Sequence, residues 1–145
     1  MKGADSFGSN HLIIFENYLY VVAKTGTGAS AVTEIYKHAI GANGALSAAE
    51  FVLNWTASPF GSRTLRGLLF SSAGMMYIAT DAEDPILSYD QATGEFDYLY
   101  KGILPAYVRD FHWGTGNYLY MTTGKTDVQD WIVYRVDMGT TSGSN

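Results

Sequence analysis

Three basic or imidazole side chains recur at matching places along the chain and are the first candidates for chemistry. His11, Arg66 and Arg109 each lie four residues before an aromatic residue. Arginine and protonated histidine bind carboxylates and phosphates through charge-assisted hydrogen bonds. Asp110 and His112 follow Arg109 on the same predicted strand, on the opposite face from it. The recurrence predicts an anion-binding collar of these five residues, if the fold brings them together. The simpler interpretation is that each basic residue is the solvated start of an exposed strand.

An acidic loop is the second candidate. Asp81, Glu83 and Asp84 supply carboxylate oxygens of the kind that bind Ca²⁺. Their spacing lacks the glycine and the terminal glutamate of an EF-hand loop, and a solvated turn is the better interpretation. We therefore predict no metal site and no cofactor, with Ca²⁺ at this loop as the alternative.

Patterns typical of catalysis are missing. The three histidines do not have the spacing of a zinc site, and no serine lies in a Gly-x-Ser-x-Gly turn. The chain has no cysteine, so thiolate chemistry and disulfides are excluded. The sequence therefore favours a protein that binds over one that catalyses a reaction.

The charge and composition of the chain limit the kinds of partner and the cellular locations that we expect. The net charge of -5 argues against nucleic acid, whose binding requires concentrated Lys and Arg. No apolar run approaches the roughly 18–20 residues needed to span a membrane. Lack of cysteine suits an exported chain that needs no bridges as well as a cytosolic one, and an extracellular or periplasmic location is slightly favoured.

A sequence pattern that occurs three times indicates which structural elements position these side chains. Tyr20, Tyr77 and Tyr120 each follow an aromatic residue and a short turn-forming run. A second tyrosine occurs later in each unit, with a glycine five residues after it; these pairs are Tyr36 and Gly41, Tyr89 and Gly94, and Tyr134 and Gly139. Markers in register across three units predict three copies of one supersecondary structure.

Each unit reads as a series of strands without a helical period. The predicted strands are 11–15, 18–24, 32–40 and 49–55 in the first unit, 65–70, 75–80, 86–90 and 95–101 in the second, and 108–113, 118–123 and 131–137 in the third. Four antiparallel strands in about 40–50 residues are typical of a β-propeller blade. We predict an all-β fold with blades at 8–55, 62–103 and 105–139 and a tail at 140–145, the third blade lacking its outer strand.

Two segments carry a family resemblance. Gly-Met-Met-Tyr-Ile-Ala-Thr at 74–80 and Ile-Leu-Ser-Tyr-Asp-Gln-Ala-Thr-Gly at 86–94 resemble blades of the broad group of NHL-repeat, lactonase-like and gluconolactonase-like propellers. The shared pattern is a glycine turn, an apolar strand and a strand that ends in Tyr-Asp followed by Thr-Gly. Gluconolactonase-like propellers bind a divalent cation with Glu, Asn and Asp side chains, which have no matching positions in this chain. The signatures of WD40 and kelch blades are missing.

Three blades are too few for a closed ring, because propellers have typically four to eight. We therefore expect the chain to associate with itself or with further blades, and residues 1–8 of another chain could supply the missing outer strand. The predicted function is a self-assembling or ligand-binding partial propeller without catalysis, whose ligand is a small anion or a sugar. One alternative is part of a propeller enzyme, a lactonase-like hydrolase or an oxidoreductase, with an anionic substrate in the channel. A second is a structural subunit of a surface fibre or particle.

Overall fold

The computed structural model describes residues 12–102, 108–123 and 132–144, except for the side chains of Arg109 and Thr123. These residues form an all-β structure whose only helical element is the single 3-10 turn Gly28–Ser30. The strands are β1 (Leu12–Phe15), β2 (Tyr18–Thr25), β3 (Val32–Ala39), β4 (Glu50–Asn54), β5 (Leu65–Phe70), β6 (Met76–Thr80), β7 (Ile86–Asp90), β8 (Glu95–Tyr98), β9 (Val108–Trp113), β10 (Tyr118–Thr123) and β11 (Ile132–Asp137).

Strands that are neighbours in sequence are neighbours in space. Sheet 1 has the order β1-β2-β3-β4, sheet 2 the order β5-β6-β7-β8, and sheet 3 the order β9-β10-β11 within the described ranges. All pairings within the sheets are antiparallel. The prediction of an all-β chain made of three antiparallel units is confirmed. Within the described part of the chain, no helix has the length and apolar character to cross a membrane.

A short turn joins the first two strands of each sheet, and the residues of these turns adopt backbone conformations that the turns require. Gly74, before β6, has a φ of 93°, and Gly116, before β10, has a φ of 65°. This left-handed region is readily available to glycine. In sheet 1 the turn between β1 and β2 consists of Glu16 and Asn17 alone, and Glu16 itself has a φ of 54°. The first hairpin is therefore shorter than the other two.

Sheet 2 lies between the other two sheets and is covered on both faces. One core joins sheets 1 and 2; its buried residues are Phe15, Tyr20, Val22, Ile35, Trp55, Leu65, Leu68, Phe70, Met76, Ile78, Leu87 and Tyr89. The other joins sheets 2 and 3; its buried residues are Leu69, Tyr77, Ala79, Ile86, Val108, Phe111, Leu119, Met121 and Met138. All five residues of β6 are buried for this reason. Successive side chains of a strand point to opposite faces, so β6 contributes to both cores.

The sheets approach one another along their first strands. Between sheets, the contacting strands are β1 with β5, and β9 with β5 and β6. Toward the outer strands of sheets 1 and 2 the space is filled by large rings: Phe96 packs against Trp55 at 6.2 Å and Phe60 at 5.5 Å between ring centroids, and Phe60 packs edge-on against Tyr98. Aromatic rings are the largest apolar side chains available for such a gap.

Candidate functional site

The first strands of sheets 2 and 3 carry the same irregularity at the same place. Leu65 pairs with Thr80 and Gly67 with Ala79, so Arg66 has no partner opposite it. Val108 pairs with Thr123 and Asp110 with Thr122, which leaves Arg109 in the corresponding position. An extra residue of this kind is a β-bulge, which commonly re-aims a side chain. The two arginines that the repeat singled out are thus equivalent in backbone structure.

The other predicted collar residues lie elsewhere or outside the described residues. Asp110 is opposite Thr122 and His112 is opposite Tyr120, so both belong to the face of sheet 3 that points away from sheet 2. His112 is exposed. His11 lies outside the described residues, and the side chain of Arg109 is not described, so the collar itself stays a prediction.

The acidic loop after β6 is occupied by backbone contacts. The Asp81 carboxylate accepts a hydrogen bond from the Thr64 amide at 2.9 Å, and the Asp84 carboxylate accepts one from the Gly102 amide. Glu83 is exposed. Among the described residues, no three His, Cys, Asp or Glu side chains are grouped as a metal would require. Two of the three carboxylates therefore hold neighbouring loops in place.

The repeated tyrosines of β2 and β6 make equivalent contacts across the two interfaces. The Tyr20 ring packs against Phe70 of sheet 2, with 4.5 Å between ring centroids, and the Tyr77 ring packs against Trp113 of sheet 3 at 6.0 Å. Each tyrosine therefore points toward the sheet that follows it in sequence. We call this side of each sheet its forward face and the other side its back face.

The remaining two faces are open and carry large apolar side chains. Tyr120, on the forward face of sheet 3, is 39% exposed, whereas Tyr20 and Tyr77 are 3% and 5% exposed. On the back face of sheet 1, Leu12 and Phe51 are 62% and 60% exposed. They end a row that runs across all four strands: Leu12, Val21, Tyr36 and Phe51. Contiguous exposed apolar surface commonly marks an interaction site.

One predicted equivalence is wrong. The repeat predicts that Phe15, Phe70 and Trp113, each four residues after His11, Arg66 or Arg109, are equivalent aromatic residues of the three units. In the structure Phe15 is on the forward face of sheet 1, opposite Tyr18, whereas Phe70 is on the back face of sheet 2, opposite Met76. The two rings stack on each other with 4.6 Å between centroids and an interplanar angle of 7°. The shorter hairpin of sheet 1 shifts the pairing by one residue, and such a shift turns a side chain to the other face.

Two tyrosines have a pKa above the ordinary value for a phenol. Burial raises the pKa of Tyr77, with the nearby Tyr100 adding to the effect and a hydrogen bond with Thr141 opposing it. The pKa of Tyr36 is raised chiefly by its hydrogen bond to Glu34, at 3.1 Å. Both phenols stay protonated at neutral pH, so neither geometry nor charge makes them nucleophiles there.

Sequence reasoning missed two basic residues that lie near Arg66. Lys24, at the end of β2, and Arg63, in the connector between β4 and β5, line one cleft together with Arg66. Neither is marked by the repeat. Arg63 belongs to a connector that links two units, and Lys24 looks like the polar end of a strand, so no periodic signal identifies them.

Comparison of the chain with protein-family models, with curated protein sequences and with solved structures gives no significant match.

Proposed function

We propose that this chain is an assembly and binding module made of three consecutive propeller-type blades, without catalysis of its own. In this proposal the open back face of sheet 1 docks on the open forward face of sheet 3 of a second copy. The observation that supports it best is Tyr120, which has the strand position of Tyr20 and Tyr77 but, among the residues that the structure describes, packs against no aromatic residue of a following sheet.

The two open faces have the composition of the faces that already pack inside the chain. The row of Leu12 and Val21 corresponds to the row of Leu68 and Ile78 in sheet 2, which is fully buried against sheet 1. Both rows are apolar, and on the back face of sheet 1 the polar residues Glu34 and His38 flank the row at Tyr36. The open back face of sheet 1 is therefore the kind of surface that a forward face covers.

The forward faces carry both apolar and charged residues, and the forward face of sheet 3 has the same mixture. In sheet 1 the row through Tyr20 runs through Ile13, Lys37 and Glu50, and in sheet 3 the row through Tyr120 runs through His112 and Arg135. A central tyrosine flanked by polar residues already packs well between sheets 1 and 2. The polar residues beside Tyr120 are therefore compatible with docking.

Two copies of three blades give six, within the usual range for a closed ring. In that ring the first strands surround the axis, so the bulges at Arg66 and Arg109 lie around a central channel. A small anionic ligand suits this lining. The proposal thus joins the assembly surface to a binding site without a catalytic group.

Light scattering of the purified chain tests the assembly. We expect twice the mass of one chain, and expect Leu12→Asp and Tyr120→Asp each to reduce it to one chain, because each buries an unpaired charge at the interface. Thr27→Asp adds the same charge to an exposed loop and serves as the matched control. A wild-type mass of one chain, combined with a cooperative melt, would contradict the proposal.

A further inference from the structure

A cleft between sheets 1 and 2 has three basic residues in its lining. It has a volume of about 330 Å³, and Lys24, Arg63 and Arg66 all line it. The chain has only nine Lys and Arg residues and a net charge of -5, so a cleft lined by both Lys24 and Arg66 and by no described acidic residue departs from the overall charge. We propose that the cleft binds a small organic anion through a carboxylate or phosphate group.

The Asp81 carboxylate, which accepts a hydrogen bond from the amide of the lining residue Thr64, lies beside the cleft but is not part of its lining. No Asp or Glu of the described residues lines the cleft. The Arg63 guanidinium donates to the Asp84 carbonyl oxygen at 2.9 Å and to the Thr80 hydroxyl at 3.4 Å, and it lies over the Phe60 and Tyr98 rings. None of these four partners lines the cleft, so Arg63 contributes to the wall and the charges available to a ligand are those of Lys24 and Arg66. In the described part of the chain Lys24 and Arg66 form no ion pair. An anion bound in the cleft neutralises the like charges of Lys24 and Arg66.

The connector that forms one wall of the cleft is held by its own hydrogen bonds. The Trp55 indole donates to the Arg63 carbonyl oxygen at 2.9 Å, and the Gly61 amide donates to the Ser58 carbonyl oxygen at 3.0 Å. A Cβ atom at Gly61 would lie 2.0 Å from the Thr56 carbonyl oxygen, so the chain packs there as only glycine permits. The Asp81 carboxylate fixes the Thr64 amide. The wall is therefore formed before a ligand arrives, which lowers the entropic cost of binding.

The remaining lining residues define the class of ligand. Hydroxyl groups come from Thr33, Thr56, Ser62 and Thr64, and apolar surface from Val22 and Leu65. Arginine binds carboxylates and phosphates in two-pronged geometry, and hydroxyls accept or donate to the rest of a polar ligand. The volume is at the lower end of small-molecule sites. A compact metabolite with a carboxylate or phosphate fits better than a polymer.

Binding calorimetry with inorganic phosphate and with citrate tests the site, with glucose as the uncharged probe. We expect at least one of the two anions to bind and glucose not to bind, and the stronger anion identifies the preferred group. Arg66→Gln is expected to weaken binding about tenfold, since it removes a charged hydrogen-bond donor. Lys24→Gln, at an exposed strand end, is expected to weaken it a few-fold. Lys101→Gln removes the same charge outside the cleft and is expected to leave binding unchanged.

The site would be overturned if neither anion binds, if Lys101→Gln weakens binding as much as Lys24→Gln, or if glucose binds as tightly as the anions. The cleft lies within one chain, so the inference does not rest on the proposed assembly. The same anion affinity is expected in the Leu12→Asp variant, where assembly is lost. Loss of affinity in that variant would show that the cleft is completed only by a second copy and would contradict the site as described.

Discussion

Sheet 2 and sheet 1 are built from similar strands, yet one is covered on both faces and the other on one. Leu68 in β5 and Leu12 in β1 have equivalent pairing partners, Ile78 and Val21, but Leu68 is 0% exposed and Leu12 is 62% exposed. The exposed fractions differ because sheet 1 packs against Leu68, whereas no described sheet packs against Leu12; the residue type is the same. A sheet of this kind therefore derives its stability from the sheets beside it, as the units of repeat architectures do.

The largest expected difference in the free energy of unfolding is between alanine substitutions of Tyr20 and Tyr120. Tyr20→Ala removes a buried ring that packs on Phe70, and we expect a loss of about 3–5 kcal/mol in the free energy of unfolding. Tyr120→Ala removes the equivalent ring from an open face, and we expect a loss below about 1 kcal/mol in a dissociated chain. Urea unfolding at low protein concentration measures both. Equal losses would mean that the forward face of sheet 3 is already covered.

The leucine pair tests the opposite faces. Leu68→Ala is expected to cost about 2–5 kcal/mol of stability, since it leaves a cavity between sheets 1 and 2. Leu12→Ala is expected to change the stability of a dissociated chain by no more than about 0.5 kcal/mol. The same denaturant titration compares them. A large effect of Leu12→Ala that grows with protein concentration would instead locate it in an interface between copies.

The third contrast concerns the chain segment after sheet 3, which packs on the middle of the molecule. The Ser72 amide donates to the Ser142 carbonyl oxygen and the Ser144 amide to the Phe70 carbonyl oxygen. A Cβ atom at Gly143 would lie 2.1 Å from the Trp113 ring. We expect Gly143→Ala to cost about 1–3 kcal/mol by overpacking.

Gly28→Ala provides the matched control, because Gly28 has no atom within 4 Å of its would-be Cβ. Its positive φ of 59° is unfavourable for alanine, so we expect a cost of about 1–2 kcal/mol from the backbone alone. Thermal unfolding compares the two variants, and a smaller effect at Gly143 than at Gly28 would contradict the packing of this segment.

The smallest expected effect is on the pH dependence of stability. Because the pKa of Tyr77 is raised, the folded chain keeps this proton above about pH 10, where the unfolded chain releases it. The stability that this phenol contributes is complete below the unfolded pKa and is lost as pH rises through the folded pKa. Tyr77→Phe is therefore expected to show a shallower loss of stability in alkaline solution, measured by urea unfolding over a pH series. Identical pH profiles would contradict the burial of this phenol.

Local pattern predicted most of the strands. The bounds of β5, β7 and β9 are those expected from alternating or continuous apolar runs between turn residues. β8 ends at Tyr98 and not at residue 101, because Leu99 and Tyr100 turn away and the Tyr100 hydroxyl donates to the Asp137 carbonyl oxygen. Residues 45–53 form a loop and a strand, as predicted, and not a helix.

Register and long-range contacts could not be predicted. Phe15 lies five residues before Tyr20, whereas Phe70 lies seven before Tyr77, and only the length of the hairpin turn decides which face each ring takes. Lys24 and Arg63 line the same cleft because a connector folds back over a strand end. Residues 142–144 reach sheet 2 from the predicted tail. Each of these depends on chain segments that are distant in sequence, and a periodic pattern carries no information about them.

Each interface between sheets also contains its own tryptophan. Trp55 is buried between sheets 1 and 2, and the Trp113 indole, between sheets 2 and 3, donates to the Phe70 carbonyl oxygen at 2.7 Å. With Trp131 replaced by phenylalanine, the intrinsic fluorescence of Trp55→Phe reports the second interface and that of Trp113→Phe reports the first. The order in which the two emissions shift to the red on denaturation would tell whether the stack opens from one end or separates as a single cooperative unit.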